Sequence, residues 1–376
     1  MQRPVTAPDF AALANPGVRS LSPYRPGKPA ATLERERSVQ DVLKLASNEN
    51  PLGASPRALA AARDALPAIG RYPDSSGHDL KQALAAHLGV APEQLSLGCG
   101  SNDILVLMAQ CFLSPDTSAV YSRHGFVVYP LAVRIAGAKA LVAPARNWGH
   151  DLAAMAAMVE ENTRLVYIAN PNNPTGTWVD EDALATFLEK LPPTTITVLD
   201  EAYFEYSRHV GCPDALQLQQ RFPALVVTRT FSKVYGLAGL RIGYSISHPQ
   251  VAALLNRVRQ PFNVNTVALA AALAALEDEA HVAASLACNQ EGMAELEKAF
   301  VQLGLPFLSS AANFIAFEVP EHAPGKVYEA LLRQGVIVRP VERDYQMPRH
   351  LRVSVGRPAE NRRFLRALKR ALQEAT

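Results

Sequence analysis

The chain lacks the features that would tie it to an oxidising compartment, a membrane or a polyanion. It holds four cysteines among 376 residues, Cys99, Cys111, Cys212 and Cys288, with no CxxC pair and no histidines at metal-ligand spacing. That argues against a disulfide framework and against a metal site, and the thiols read as small buried hydrophobes in a reducing compartment. Basic residues barely exceed acidic ones, 37 against 35, so there is no field to gather nucleic acid. The basic group Arg362, Arg363, Arg366, Lys369 and Arg370 reads as the solvated face of a last amphipathic helix. The longest apolar run, Val267 to Leu276, is too short to cross a bilayer. The opening Met1-Gln-Arg-Pro-Val-Thr-Ala-Pro8 has no apolar signal-peptide core, and we expect a soluble, cytoplasmic protein. Three familiar signatures are also missing: the phosphate loop G-x-x-x-x-G-K-[ST], the nucleophile elbow G-x-S-x-G and the zinc helix H-E-x-x-H.

What is present is an ordinary globular composition, 48% hydrophobic and 19% charged, in a length that suits two unequal domains. Residues 1–44 are rich in Pro, Arg and Ala without a sustained period and suggest an arm ending in a short strand. Helical patterns follow at 55–66 and Asp79–Leu88. Short apolar runs then alternate with helical stretches. The expected strands are Ser118–Tyr121, Lys139–Ala143, Leu165–Ala169, Thr195–Leu199, Leu225–Arg229 and Arg241–Ile246. Near-continuous apolar strands separated by helices predict an α/β domain with a mostly parallel sheet covered on both faces. After Pro261 the pattern changes to a long helical region, 266–303, then strands and helices that read as a smaller α+β C-terminal domain. The expected division is an arm at 1–44, a large domain at 45–262 and a small one at 263–376.

Three consecutive expected strands end in unusual polar residues. The first runs into Asn170-Pro171-Asn172-Asn173-Pro174-Thr175-Gly176, the second into Asp200-Glu201-Ala202-Tyr203, the third into Thr230-Phe231-Ser232-Lys233. Ligands of open α/β sheets bind beyond such carboxyl ends. Taken alone, Asp200 is an ordinary helix cap and Lys233 an ordinary surface lysine in a glycine loop. Together they suggest a different pair. A shielded Asp200 suits the protonated ring nitrogen of a pyridine cofactor, and a desolvated Lys233 with lowered pKa suits a nucleophilic amine. Thr230, Ser232 and Arg241 lie close enough in sequence to gather around one phosphate. A second phosphate element, Gly98-Cys99-Gly100-Ser101-Asn102, opens an apolar helix whose N-terminus offers free N–H groups. It is no dinucleotide fingerprint, because Asp103 stands where the third glycine belongs.

With those motifs in order, the chain resembles the fold-type I pyridoxal-phosphate (PLP) enzymes, and among them the histidinol-phosphate aminotransferase family. The resemblance runs from about Tyr24 to the C-terminus. It rests on Asn172-Asn173-Pro174-Thr175-Gly176, on Asp200-Glu201-Ala202-Tyr203 and on Thr230-Phe231-Ser232-Lys233-Val234-Tyr235-Gly236-Leu237-Ala238-Gly239-Leu240-Arg241. Flanking support comes from Asn48-Glu49-Asn50-Pro51, Arg71-Tyr72-Pro73-Asp74 and Leu351-Arg352-Val353-Ser354-Val355-Gly356.

The resemblance implies that Lys233 holds PLP covalently and that Asp200 pairs with its ring nitrogen. Asn173 and Tyr203 would bond the ring's phenolic oxygen, and Phe126 would stack on its face, where the family often has tyrosine. Ser101, Asn102, Thr230, Ser232 and Arg241 would surround the phosphate, although many relatives carry an acidic residue in place of Asn102. Tyr72 would reach the phosphate in a neighbouring subunit, making a homodimer part of the site. Arg339 and Arg352 would face the substrate's anionic end, near Tyr24 and Asn48. The implied reaction is amino transfer from L-histidinol phosphate to 2-oxoglutarate. Aromatic amino acids are the nearest alternative donors. A decarboxylase of a phosphorylated amino acid and a non-catalytic PLP sensor are further readings.

Overall fold

The computed structural model describes residues 9–19, 21–23, 27–37, 39–319 and 324–375. Tyr24 lies outside them. A seven-stranded sheet organises the larger part. Its strands are β1 (Leu95–Gly98), β2 (Ser118–Ser122), β3 (Lys139–Ala143), β4 (Thr163–Ala169), β5 (Ile196–Asp200), β6 (Leu225–Thr230) and β7 (Gly243–Ile246). They lie in the order β1-β7-β6-β5-β4-β2-β3. The five strands from β6 across to β3 are parallel, and only β7 runs against its neighbours.

The apolar runs produce this sheet because both of its faces are covered. Along β4, Val166 and Ile168 point into one core with Leu80, Leu84 and Ala268, while Leu165 and Tyr167 point into another with Leu105, Met108 and Val133. Alternate residues of one strand therefore feed opposite layers, and every position has to be apolar. The expected strands are all present with ends shifted by a residue or two. β1 was not expected: it is a short Leu-Ser-Leu-Gly edge after the turn Pro92–Gln94, with too few residues to stand out.

A smaller antiparallel sheet of β8 (Phe314–Glu318), β9 (Arg339–Pro340) and β10 (His350–Ser354) lies in the order β8-β10-β9. Helices Glu279–Gln302, Pro324–Arg333 and Pro358–Ala375 cover it around Phe300, Phe317, Leu331 and Phe364. The end of the arm joins this unit. Leu43–Lys44 pairs in parallel with Val336–Ile337, and Leu43 and Leu45 belong to the small core.

The packing around 262/263 bears on the expected border. The region 266–303 is two helices, Thr266–Leu276 and Glu279–Gln302, and Asp278 caps the second by accepting from the His281 amide. Val264, Ala268, Ala271, Ala272 and Ala275 sit in the core of the large sheet. The next helix packs Val282 and Leu286 on that same core, but Met293, Leu296 and Phe300 on the small one. We therefore propose a division that runs through this helix, with the end of the arm counted in the small unit.

Register levels the functional strand ends. Ala169 pairs with Asp200, and Asp200 with Thr228, so β4, β5 and β6 open into their loops side by side. The loop after Lys233 is held by Gly236, whose φ of +70° is left-handed and whose added Cβ would stand 2.1 Å from the Gly53 carbonyl oxygen. Gly236→Ala combines a disfavoured backbone with a clash against backbone, and should destabilise the fold by about 2–4 kcal/mol. Denaturant unfolding of the two proteins measures it.

Candidate active site

The strand ends, the start of helix Ser101–Phe112 and the strands β9 and β10 enclose one cavity of about 330 Å³. Asn48, Ser101, Asn102, Phe126, Asn173, Asp200, Tyr203, Thr230, Ser232, Lys233, Arg241, Arg339 and Arg352 all line it. Its lining comes from the carboxyl ends of β1, β2, β4, β5 and β6, the side on which open α/β sheets place ligands.

Two neighbouring carboxylates at the end of β5 have opposite fates. Glu201 turns to a buried cation: Arg229 Nη2 stands 2.7 Å from its Oε2, and the guanidinium lies 3.6 Å over the Phe204 ring. Asp200 turns into the cavity and, among the described residues, meets only neutral hydrogen-bond donors. Thr228 Oγ1 donates to Oδ1 at 3.1 Å, the Tyr129 hydroxyl to Oδ2 at 3.3 Å, and the Ala202 amide adds a third bond. Burial pushes the Asp200 carboxyl up to about 6, with these bonds and the Lys233 charge opposing the rise. A buried carboxylate so placed would be stabilised by a cation on the cavity side.

Lys233 leaves the same group of loops and donates from Nζ to the Ser47 carbonyl at 3.2 Å. Its Nζ sits 5.6 Å over the Tyr203 ring. Burial lowers its pKa to about 8, with Arg352 and Arg241 adding repulsion and Glu49 and Asp200 opposing. The Tyr203 hydroxyl accepts from Asn48 Nδ2 at 2.9 Å. Asn48 is held in turn by the Ser354 hydroxyl, which accepts from its amide and donates to its Oδ1.

A cationic corner forms where helix Ser101–Phe112 begins. Arg241 donates to Ser232 Oγ at 3.4 Å and to the carbonyls of Ala238 and Cys99. A Cβ on Gly100, which has φ +85°, would meet Arg241 Nη2 at 2.8 Å, so only glycine lets the helix start approach this guanidinium. Asp103, in place of a third glycine, accepts from the Cys99 amide at 2.9 Å and closes the loop from inside. A second cationic group lies on the small sheet. Arg352 is buried, donates to Asn173 Oδ1 and to the Ala46 carbonyl, and rests 5.0 Å over Phe314. Arg339 lines the cavity while bonding Asp344 at 2.6 Å.

Tyr72 is not in this cavity. It is 82% exposed and stacks on Phe262 at 4.6 Å. Four contributors were missed in the sequence: Tyr129, Thr228, Ser47 through its carbonyl, and Tyr345, which lines the cavity beside Arg339. Thr228 was within reach, because it shares a strand face with Thr230 at a spacing of two. Nothing local marks the other three.

The family model of class I and II aminotransferases matches residues 40–368. The chain belongs to the class I and II aminotransferases. It is 55% identical to histidinol-phosphate aminotransferase 2 of Pseudomonas fluorescens (strain Pf0-1), over 97% of this chain and 98% of that one. It is 53% identical to histidinol-phosphate aminotransferase 1 of Nitrosococcus oceani, over 97% and 98%. Among solved structures, the histidinol-phosphate aminotransferase of Sinorhizobium meliloti in complex with pyridoxal-5'-phosphate superposes with a TM-score of 0.89 at 31% identity, over 96% and 98% of the two chains. Aspartate aminotransferase of Thermus thermophilus shares the fold, with a TM-score of 0.83 at 22% identity.

For this aminotransferase the lowered pKa of Lys233 has a measurable consequence. The neutral amine is the nucleophile, so aldehyde labelling of Lys233 in the ligand-free protein should rise with pH through about 8 and level off above it. Surface lysines should keep rising beyond pH 10. Borohydride trapping and peptide mapping across pH 6–11 read the difference; a Lys233 profile like that of the surface lysines would be the contrary result.

Proposed function

We propose that this aminotransferase uses PLP to move an amino group from L-histidinol phosphate to 2-oxoglutarate, within histidine biosynthesis in the cytoplasm. The observation that carries the substrate choice is the second cationic group. Arg339 and Arg352 are buried in the cavity wall, separate from the Arg241 corner, so the site offers one anion pole to a cofactor phosphate and another to a substrate. Two arginines suit a phosphate in charge and geometry. The likeness to the named Pseudomonas and Nitrosococcus enzymes supports the same donor.

The residues fit PLP on three grounds: the glycine start that admits Arg241, the lowered amine of Lys233, and the Asp200 carboxylate whose donors are all neutral. PLP supplies an aldehyde that engages amines and a ring that withdraws electrons from the attached carbon. Asp200 would hold a proton on the ring nitrogen, and Asn173 and Tyr203 would bond the phenolic oxygen. Phe126 covers the ring face. Ser101, Asn102, Thr230, Ser232 and Arg241 hold the phosphate. Lys233 Nζ would hold the cofactor through its aldehyde, with loss of water, and once displaced would remove the donor's Cα proton and return it. Its pKa near 8 keeps part of it neutral at working pH, which both roles require. Arg339 and Arg352 clamp the donor's anionic end, with Asn48 beside them in the cavity lining.

We further propose a homodimer in which Tyr72 reaches the phosphate pole of the neighbouring subunit. Tyr72 is an exposed aromatic outside its own cavity, pinned by Phe262 and therefore held ready for a partner.

Lys233→Ala should abolish turnover with every donor, and surviving transamination would refute its role. Arg352→Ala should raise the KM for histidinol phosphate by at least about a hundredfold while changing PLP affinity little. A donor panel with 2-oxoglutarate should yield glutamate from histidinol phosphate far faster than from phenylalanine or tyrosine. Faster turnover of the aromatic donors, or carbon dioxide from threonine phosphate, would favour the other readings. Tyr72→Phe should weaken PLP binding roughly tenfold, the value of one hydrogen bond to a charged group, in a protein that still sediments as a dimer.

A further inference from the structure

Chain segment 145–150 makes a small hairpin whose tip is unusual. Ala145 pairs with His150 and Arg146 with Gly149, leaving Asn147 and Trp148 as the two turn residues. Both are left-handed, with φ of +50° and +65°. Such turns favour glycine at the second place, and a bulky residue persists there only where its surroundings hold it. The base of the hairpin is fixed to the large sheet. His150 Nε2 donates to the Ala169 carbonyl at 2.9 Å, at the end of β4 and just ahead of the Asn173 loop.

The tip crosses to the other unit. The Trp148 ring lies between two imidazoles, His124 at 4.9 Å and His350 at 4.7 Å between ring centroids. It also packs on the cluster Ala316, Val341, Tyr345 and Met347. Each imidazole leads to the cavity. His124 follows β2, accepts at its carbonyl from Asn172 Nδ2 at 2.9 Å, and donates from Nδ1 to the Tyr345 carbonyl at 2.7 Å. That partner can only accept, so Nδ1 carries the proton. His350 opens β10, two residues before Arg352 and on the same strand face. Its Nδ1 is buried without a hydrogen-bond partner among the described residues, so packing against the indole, not a bond from Nδ1, sets its place.

We propose that Trp148 is a positioning residue for the amino donor. Wedged between the loop that bears Phe126 and the strand that bears Arg352, its ring sets the spacing between the cofactor side of the cavity and the wall formed by Arg339, Tyr345 and Arg352. Trp148 does not line the cavity and acts through Tyr345 and β10. The inference rests on reading Arg339 and Arg352 as the clamp for the donor's anion. A wall displaced by a fraction of an ångström loses donor binding while the cofactor's own contacts, made by the large sheet, persist.

The deciding variant is Trp148→Gly, which removes the ring but suits the left-handed turn, so the hairpin is retained. On the holoenzyme we expect the KM for histidinol phosphate to rise about tenfold with kcat held within about threefold, the pattern of lost substrate positioning. PLP affinity, titrated on the apoprotein, should stay within about twofold, and Trp148→Phe should recover most of the KM. An unchanged donor KM in Trp148→Gly would overturn the proposal. So would a parallel loss of kcat, PLP affinity and thermal midpoint, which marks a residue that merely supports the scaffold. Arg352→Ala run alongside separates the two ideas. If it raises the KM and Trp148→Gly does not, only the role of Trp148 fails; if Arg352→Ala leaves the KM unmoved, the reading of the arginine wall fails first.

Discussion

A carboxylate buried at the end of a central strand, with no cation paired to it among the described residues, is the constraint on which this site turns. Asp200 is carried to the cavity floor by β5, in register with β4 on one side and β6 on the other. Its hydrogen bonds come from Thr228, Tyr129 and the Ala202 amide, which stabilise the charge without neutralising it. The adjoining Glu201 takes the buried guanidinium of Arg229. With Arg229 taken by Glu201, Asp200 keeps only neutral donors among the described residues, and a protonated ring nitrogen would suit it in the function proposed above.

The other charges follow the same logic of separation. Lys233 shares the cavity with Arg241 and Arg352, so repulsion adds to burial in lowering its pKa. Those two arginines have different anchors. Arg241 is tied to the helix start through Ser232 and the Cys99 carbonyl, and Arg352 to the Asn173 loop and the Ala46 carbonyl. One cavity therefore has two anion poles with an amine between different neighbours, an arrangement suited to a phosphorylated cofactor meeting a phosphorylated substrate. The large sheet supplies the first pole and the small sheet the second. The contacts between the two units, the long helix Glu279–Gln302 and the Trp148 hairpin, thereby bear on chemistry as well as on stability.

Much of this was legible before any coordinates. Apolar runs that end in Asn-Pro, in Asp-Glu and in Ser-Lys announce a covered sheet with functional strand ends, because burial on both faces leaves polar residues only at the exits. The division into units was less legible. Thr266–Leu276 is apolar all round, and a helix without a polar face does not declare which core it enters. Tyr129 and Tyr345 were hidden for a related reason: an aromatic at helical spacing reads as packing, and only its neighbours reveal that its hydroxyl holds a carboxylate or that it lines a cavity wall.

The amino-acid sequence by itself determined which chemical groups stand at the strand ends, since alternation and strand length place Asn173, Asp200, Thr230 and Lys233 there whatever surrounds them. It also placed glycines just ahead of the helix that opens at Ser101. Only the tertiary structure decided how those groups are paired. That Glu201 and not Asp200 meets Arg229, that Arg352 reaches Asn173, and that Trp148 meets both His124 and His350 are facts of distance between segments apart in the chain. Charge and burial act through space, and a linear order of residues does not contain those distances.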